Sequence, residues 1–117
     1  MKLQYKIWLE KNGEQVFGDG IYRLLMLVDE LGSINQAAYV EKMSYRQAWG
    51  KIKRIEKRLN MRLLDRRRGG ETGGGAMLTV AGKKLMREYR EVLKQVNISI
   101  KQISEDFNVR IKSIAGD

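Results

Sequence analysis

Residues 33–59 read SINQAAYVEKMSYRQAWGKIKRIEKRL, and they decide the fold. Ser33 stands where a helix begins, with Gln36 three residues on as the partner of a capping box. The short helix that follows carries Ala37-Ala38, small enough for a neighbouring helix to approach closely. Glu41-Lys42-Met43 makes a turn, and Ser44 caps a third helix running from about Tyr45 to Leu59. At about 100° per residue, Tyr45, Ala48, Trp49, Ile55 and Leu59 fall within about 60° of Ile52. That face is expected to be core. Arg46, Gln47, Gly50, Arg54 and Lys57 lie opposite, so the other face is polar, basic and centred on a glycine. Glycine inside a helix costs about 1 kcal/mol against alanine. A smooth centre would let the helix backbone approach a flat partner.

The flanking segments complete the pattern. Upstream, Ile21, Leu24, Leu25, Val28 and Leu31 recur at three and four, a first amphipathic helix that Gly32 stops. Before it, Leu3, Tyr5, Ile7 and Leu9 alternate with polar residues, which predicts a strand with one buried face. Asn12-Gly13 is a hairpin turn, Gln15 to Phe17 can pair back, and Gly18 and Gly20 end the strand. Downstream, Leu63-Leu64 and Arg66-Arg67-Arg68 lead into GGETGGG at 69–75, and Ala76-Met77-Leu78 can return as a strand. This reads as a two-stranded wing with a basic root. It is not a nucleotide-binding P-loop, because Ala76-Met77 stand where Lys-Ser/Thr would be needed.

Thr79 caps the last helix. Its apolar residues Met86, Tyr89, Leu93, Val96, Ile100, Ile103 and Phe107 are spaced 3, 4, 3, 4, 3, 4, a coiled-coil seam. A helix from about 80 to 110 would be roughly 45 Å long. Its expected partner is a second copy of the chain, which makes Tyr89, Leu93, Val96, Ile100, Ile103 and Phe107 the dimerisation residues. The expected domains are 1–78, a winged helix-turn-helix with an N-terminal hairpin, and 79–114, a long dimerisation helix.

Composition narrows the function. The 117 residues carry 23 Lys+Arg against 14 Asp+Glu, a formal charge of +9, with no His, Cys or Pro. The absent His and Cys remove imidazole and thiol catalysis and the usual transition-metal ligands. No enzyme, cofactor, metal or small-molecule effector site is expected. The longest apolar run, Leu24 to Val28, is far short of the ~20 residues that span a bilayer, so no membrane role is expected. Residues 41–90 hold 15 basic and 5 acidic side chains, so the whole excess lies there, and the flanks are slightly acidic. A localised basic stretch on a helix-turn-helix points to double-stranded DNA.

The second helix of such a pair enters the major groove. Arg46 is suited to reading a guanine and Gln47 an adenine. Ser44, Lys51, Arg54, Lys57 and Arg58 are expected on phosphates, which set register. Gly50 lets the backbone close in, and Arg67 and Arg68 flank the backbone or an adjacent minor groove. A protein-interaction module with an acidic partner, or a non-specific nucleic-acid binder, is the alternative.

GSINQAA (32–38), MSYRQAW (43–49), GGETGGGA (69–76) and LTVAG (78–82) resemble the DNA-binding domain of ModE-type molybdate-responsive regulators, itself similar to LysR-type winged helices. Trp8-Leu9-Glu10 followed by Asn-Gly is also similar, and the likeness spans about residues 3–95. It implies a prokaryotic, cytoplasmic and nucleoid-associated transcription factor. Such a factor binds a pseudo-palindromic operator as a homodimer joined through the hairpin and long helix. It passes the recognition role to Ser44, Tyr45, Arg46 and Gln47, and the wing role to Gly73, Gly74 and Gly75. Lys42 and Asn60 replace glycines common in the family, which leaves the angle between the two helices open. Only about 35 residues follow Gly82, so molybdate sensing does not carry over. If the chain is whole, its signal is expected to enter by abundance, a partner or a separate chain.

Overall fold

Helix starts and stops legible in the sequence set the architecture of the computed structural model, which describes residues 1–67 and 75–115. The hairpin β1 (Trp8–Lys11) and β2 (Glu14–Gly18) turns at Asn12-Gly13, both with positive φ. Three helices follow: α1 (Asp19–Leu31), α2 (Ile34–Val40) and α3 (Tyr45–Leu59). A second antiparallel pair, β3 (Leu64–Arg67) and β4 (Gly75–Leu78), precedes the long α4 (Val80–Ile114). Three helices and a two-stranded wing form a winged helix-turn-helix, preceded by a hairpin and continued by a long C-terminal helix. The expected wing tip, with Arg68, Gly73 and Gly74, lies outside the described residues.

Gly32 closes α1 in the left-handed region at φ 71°, its N–H donating to the Val28 carbonyl at 2.8 Å. The Ser33 hydroxyl then accepts from Gln36 N at 3.1 Å to open α2. The reciprocal capping box is complete one helix later. Gln47 N donates to Ser44 Oγ at 3.1 Å, and Ser44 N donates to Gln47 Oε1 at 2.9 Å. Lys42 takes φ 57° in the turn and Asn60 takes φ 51° after α3. Both therefore adopt the left-handed conformation that glycine would have supplied, and the turn is not rebuilt.

The chain divides into two compact units. The larger, Ile7–Met86, holds a core drawn from Val16, Phe17, Leu24, Leu25, Val28, Ala37, Ala38, Ala48, Ile52, Leu63 and Leu78. Inside it the buried Glu56 joins α3 to the wing. Its Oε2 accepts from Leu63 N at 2.7 Å and Leu64 N at 3.3 Å, and its Oε1 meets Lys53 Nζ at 3.3 Å. Thr79 makes the next joint. Its N–H donates to the Leu63 carbonyl at 2.9 Å, and its hydroxyl donates to Arg62 O and accepts from Gly82 N. A Cβ at Gly82 would fall within van der Waals overlap of the Leu63 carbonyl oxygen, so only glycine fits there.

The smaller unit is Met1–Lys6 with α4 from Arg87 on. The arm runs antiparallel to the helix. Met1 pairs with Asn108, Leu3 N donates to Ser104 Oγ, and the Tyr5 hydroxyl donates to Asn97.

Three expectations change. The strand expected from Leu3 begins only at Trp8 and none of its residues is buried, since residues 1–6 spend their hydrogen bonds on α4. The buried positions of the hairpin are Val16, Phe17 and Gly18, on β2. On α3, Ala48, Ile52 and Ile55 are buried as expected, but Tyr45 is exposed and Trp49 and Leu59 are half-buried, while Glu56 goes inside.

Glu56→Ala leaves two buried N–H groups without their acceptor. It should cost about 2–4 kcal/mol and lower the thermal midpoint by roughly 10–20 °C, with Glu56→Gln costing less. An unchanged midpoint would remove Glu56 as the joint.

Candidate nucleic-acid interface

The outer face of α3 carries the cations that its helical phase put there. Arg46, Gln47, Lys51, Arg54 and Lys57 are exposed and Gly50 is half-exposed. Arg46, Gln47, Gly50, Lys51 and Arg54 line one surface depression with Glu41, Lys42 and Met43. The ion pairs seen among the described residues include Arg23–Glu41, Lys53–Glu56, Arg58–Glu14 and Arg62–Asp65, and none of these uses Arg46, Arg54 or Lys57. Lys51 extends toward α1, with Nζ 3.5 Å from where a Cβ on Gly20 would stand.

Gly50 is informative because no packing contact among the described residues asks for it. A Cβ built there meets no atom within 4 Å. The helix therefore pays a propensity cost that internal packing does not require.

The capping box commits Gln47. With Oε1 accepting from Ser44 N, the amide presents only its Nε2 donors outward. Bidentate pairing with adenine needs an outward acceptor as well. In this state Gln47 can donate to a base or phosphate acceptor, and reading adenine would require opening the box. Ser44 Oγ accepts from Gln47 N, so Ser44 serves the helix start first. Arg58, expected among the phosphate contacts, is instead held by the hairpin. Its Nε lies 3.0 Å from Glu14 Oε2, and a terminal nitrogen donates to Gln15 O at 2.9 Å.

Tyr45 and Trp49 face the wing. The Arg66 guanidinium lies 4.1 Å from the Trp49 ring centroid and 5.8 Å from that of Tyr45, while Lys53 Nζ stands 4.4 Å from Trp49. Such contacts each contribute about 0.5–1 kcal/mol at exposed sites. Arg66 thus ties the root of the wing to the first two turns of α3. Sequence periodicity missed it, because aromatic residues at helical spacing read as core. The signal available was strand alternation. Arg66 follows Asp65 on β3 and so faces the opposite side of the strand from it. Arg67 pairs with Gly75 at the end of the described wing strands.

Among the described residues, no group of three or more acidic side chains could hold a metal, and no helix is long and apolar enough to cross a membrane.

The model of the bacterial regulatory helix-turn-helix protein, lysR family, matches residues 22–83. The chain is similar to the transcriptional regulator ModE of Haemophilus influenzae, 36% identical over 92 residues, covering 79% of this chain and 36% of that protein. It is 35% identical over 86 residues to the molybdenum transport protein ModE of Azotobacter vinelandii, covering 74% and 32%. The chain thus spans about a third of the length of these curated relatives. The fold matches the CbnR DNA-binding domain in its DNA complex, with a TM-score of 0.58 and 22% identity over 74% of this chain and 94% of that one. It also matches Vibrio fischeri DarR in complex with DNA, with a TM-score of 0.54 and 22% identity over 78% and 30%.

Gly50→Ala should raise stability by about 0.5–1 kcal/mol in a denaturant melt while weakening DNA binding, because the added methyl stands on the outer face. Unchanged or tighter binding would show that the helix backbone makes no close approach there.

Proposed function

The chain belongs to the lysR family of bacterial regulatory helix-turn-helix proteins, and we propose that it is a transcriptional regulator that binds double-stranded DNA sequence-specifically. Members of this family are DNA-binding regulators rather than enzymes. The observation that carries the proposal is the outer face of α3. Its exposed cations, drawn into none of the described ion pairs, flank a glycine at which an added Cβ would meet no described atom within 4 Å. In the proposed complex α3 lies in the major groove, Arg46 reads a base edge, and Arg54 and Lys57 hold phosphates. Arg67 and Arg68, which follow Arg66 in sequence, are the proposed contacts to the flanking backbone. The site of action would be the nucleoid of a prokaryotic cytoplasm.

The proposal includes a homodimer built on α4. Two features support it. The seam of Leu93, Val96, Ile100, Ile103 and Phe107 runs along one stripe, with Ile103 50% and Phe107 41% exposed in the single chain. The N-terminal arm hydrogen-bonds to Asn97, Ser104 and Asn108 beside it, and Leu93, Val96 and Ile100 are only half-buried. Tyr89, at the head of the seam, is buried already within the chain. A two-fold dimer would set two α3 helices on half-sites about one helical turn, roughly 34 Å, apart. Molybdenum-linked roles belong to the names of relatives of which this chain spans a third. No effector is proposed for these residues.

If a dimer neutralises about 6–8 phosphates, log K should fall with log salt at a slope near −5 to −7. Binding indifferent to salt would refute the proposal. Arg46→Ala should cost about 1–3 kcal/mol and relax specificity at one base pair, whereas uniform weakening on all sequences would make Arg46 a phosphate contact. Val96→Asp combined with Ile100→Asp should yield a monomer by light scattering and weaken operator binding. A wild-type chain monomeric at micromolar concentration would refute the seam.

A further inference from the structure

Three non-glycine residues among those described hold the left-handed backbone conformation: Asn12, Lys42 and Asn60. Asparagine tolerates that region through its short polar side chain. Lysine has no such excuse, and Lys42 holds φ 57° in the turn between α2 and α3. Its N–H donates to the Tyr39 carbonyl at 3.1 Å, a bond that glycine or asparagine would make equally well. Backbone strain that local packing does not demand tends to persist where function uses the side chain.

The surroundings of Lys42 say what that use is. The residue is exposed, and no carboxylate of the described residues lies within salt-bridge distance of its ammonium. Its neighbour Glu41, the nearest acid in sequence, is engaged by Arg23 at 3.4 Å. Lys42 lines the depression of the α3 outer face beside Arg46 and Gly50. It also lines a second one with Tyr39, Met43, Ser44 and Gln47. Tyr39 is 85% exposed, so an aromatic ring and a hydroxyl donor stand in solvent beside the start of α3.

We propose that Lys42 and Tyr39 form a phosphate-binding patch on the helix-turn-helix turn. The ammonium and the phenolic hydroxyl donate to backbone phosphate oxygens of the DNA strand that borders the groove occupied by α3. This rests on the assignment of α3 as the DNA-reading helix. It adds a contact outside that helix and explains a lysine where the backbone favours glycine or asparagine.

The test uses the full chain, a duplex it prefers and a random duplex of equal length. Lys42→Asn keeps a residue suited to the left-handed turn and removes the charge. It should melt no lower than wild type, yet bind both duplexes more weakly by the same factor, about three- to tenfold, with a salt slope shallower by about 1 per subunit. Lys42→Arg should restore the affinity and the slope, and Tyr39→Phe should weaken both duplexes by a smaller common factor. Three results would overturn the patch: Lys42→Asn binding like wild type with the same slope, a loss confined to the preferred duplex, or a lowered melting midpoint accompanying the weaker binding. A wild-type chain that binds neither duplex fails at the α3 assignment itself and takes the patch with it.

Discussion

A buried carboxylate ties the third helix of this molecule to its wing. Glu56 leaves the basic run of α3 and turns inward, where one oxygen accepts from the backbone of Leu63 and Leu64 and the other meets Lys53. An ionised acceptor on backbone N–H groups is roughly twice as strong as a neutral one. The bond carries the chain from the end of α3 into the first strand of the wing with no slack. Thr79 then returns the chain past the carbonyl of the same residue, Leu63, and Gly82 permits α4 to start against it. Helix α3, the wing root and the first turn of α4 therefore share one short stretch of backbone, residues 62–64.

The charge follows from that frame. Cations that point inward or sideways are spent on structure: Arg58 on the hairpin, Arg66 and Lys53 on Trp49, Arg23 on Glu41. Arg46, Arg54 and Lys57 enter none of the described ion pairs and share the face with Gly50. A summed charge of +9 suggests only an affinity for anions. The division between spent and unspent cations turns it into a directed surface, with the wing strand fixed beside it by Arg66.

The helix boundaries were legible in the residues, and the joint between α3 and the wing was not. Gly32-Ser33 and Ser44 with Gln47 are local signals, since capping is decided within four residues, and they placed α2 and α3 closely. Periodicity placed Ala48, Ile52 and Ile55 correctly, but it cannot tell a core aromatic from one stacked on a cation, so Tyr45 and Trp49 were read as interior. The alternation of Leu3, Tyr5, Ile7 and Leu9 was read as a strand, because period two does not reveal that an arm will spend its hydrogen bonds on a helix about 100 residues away in sequence. Glu56 gave no signal at all, since a glutamate on a basic helix normally stays in water. The half-committed amide of Gln47 required coordinates, because it depends on which oxygen closes the capping box.

The proposed recognition by a two-fold dimer would draw on both the outer face of α3 and the apolar seam of α4, and one measurement reaches both. Selection of bound duplexes from a random library reports site length, symmetry and information content together. The account predicts an enriched site with two inverted half-sites whose centres lie about 10–10.5 base pairs apart, or a whole multiple of that. A library that returns no enriched sequence, or one short site without symmetry, would contradict it.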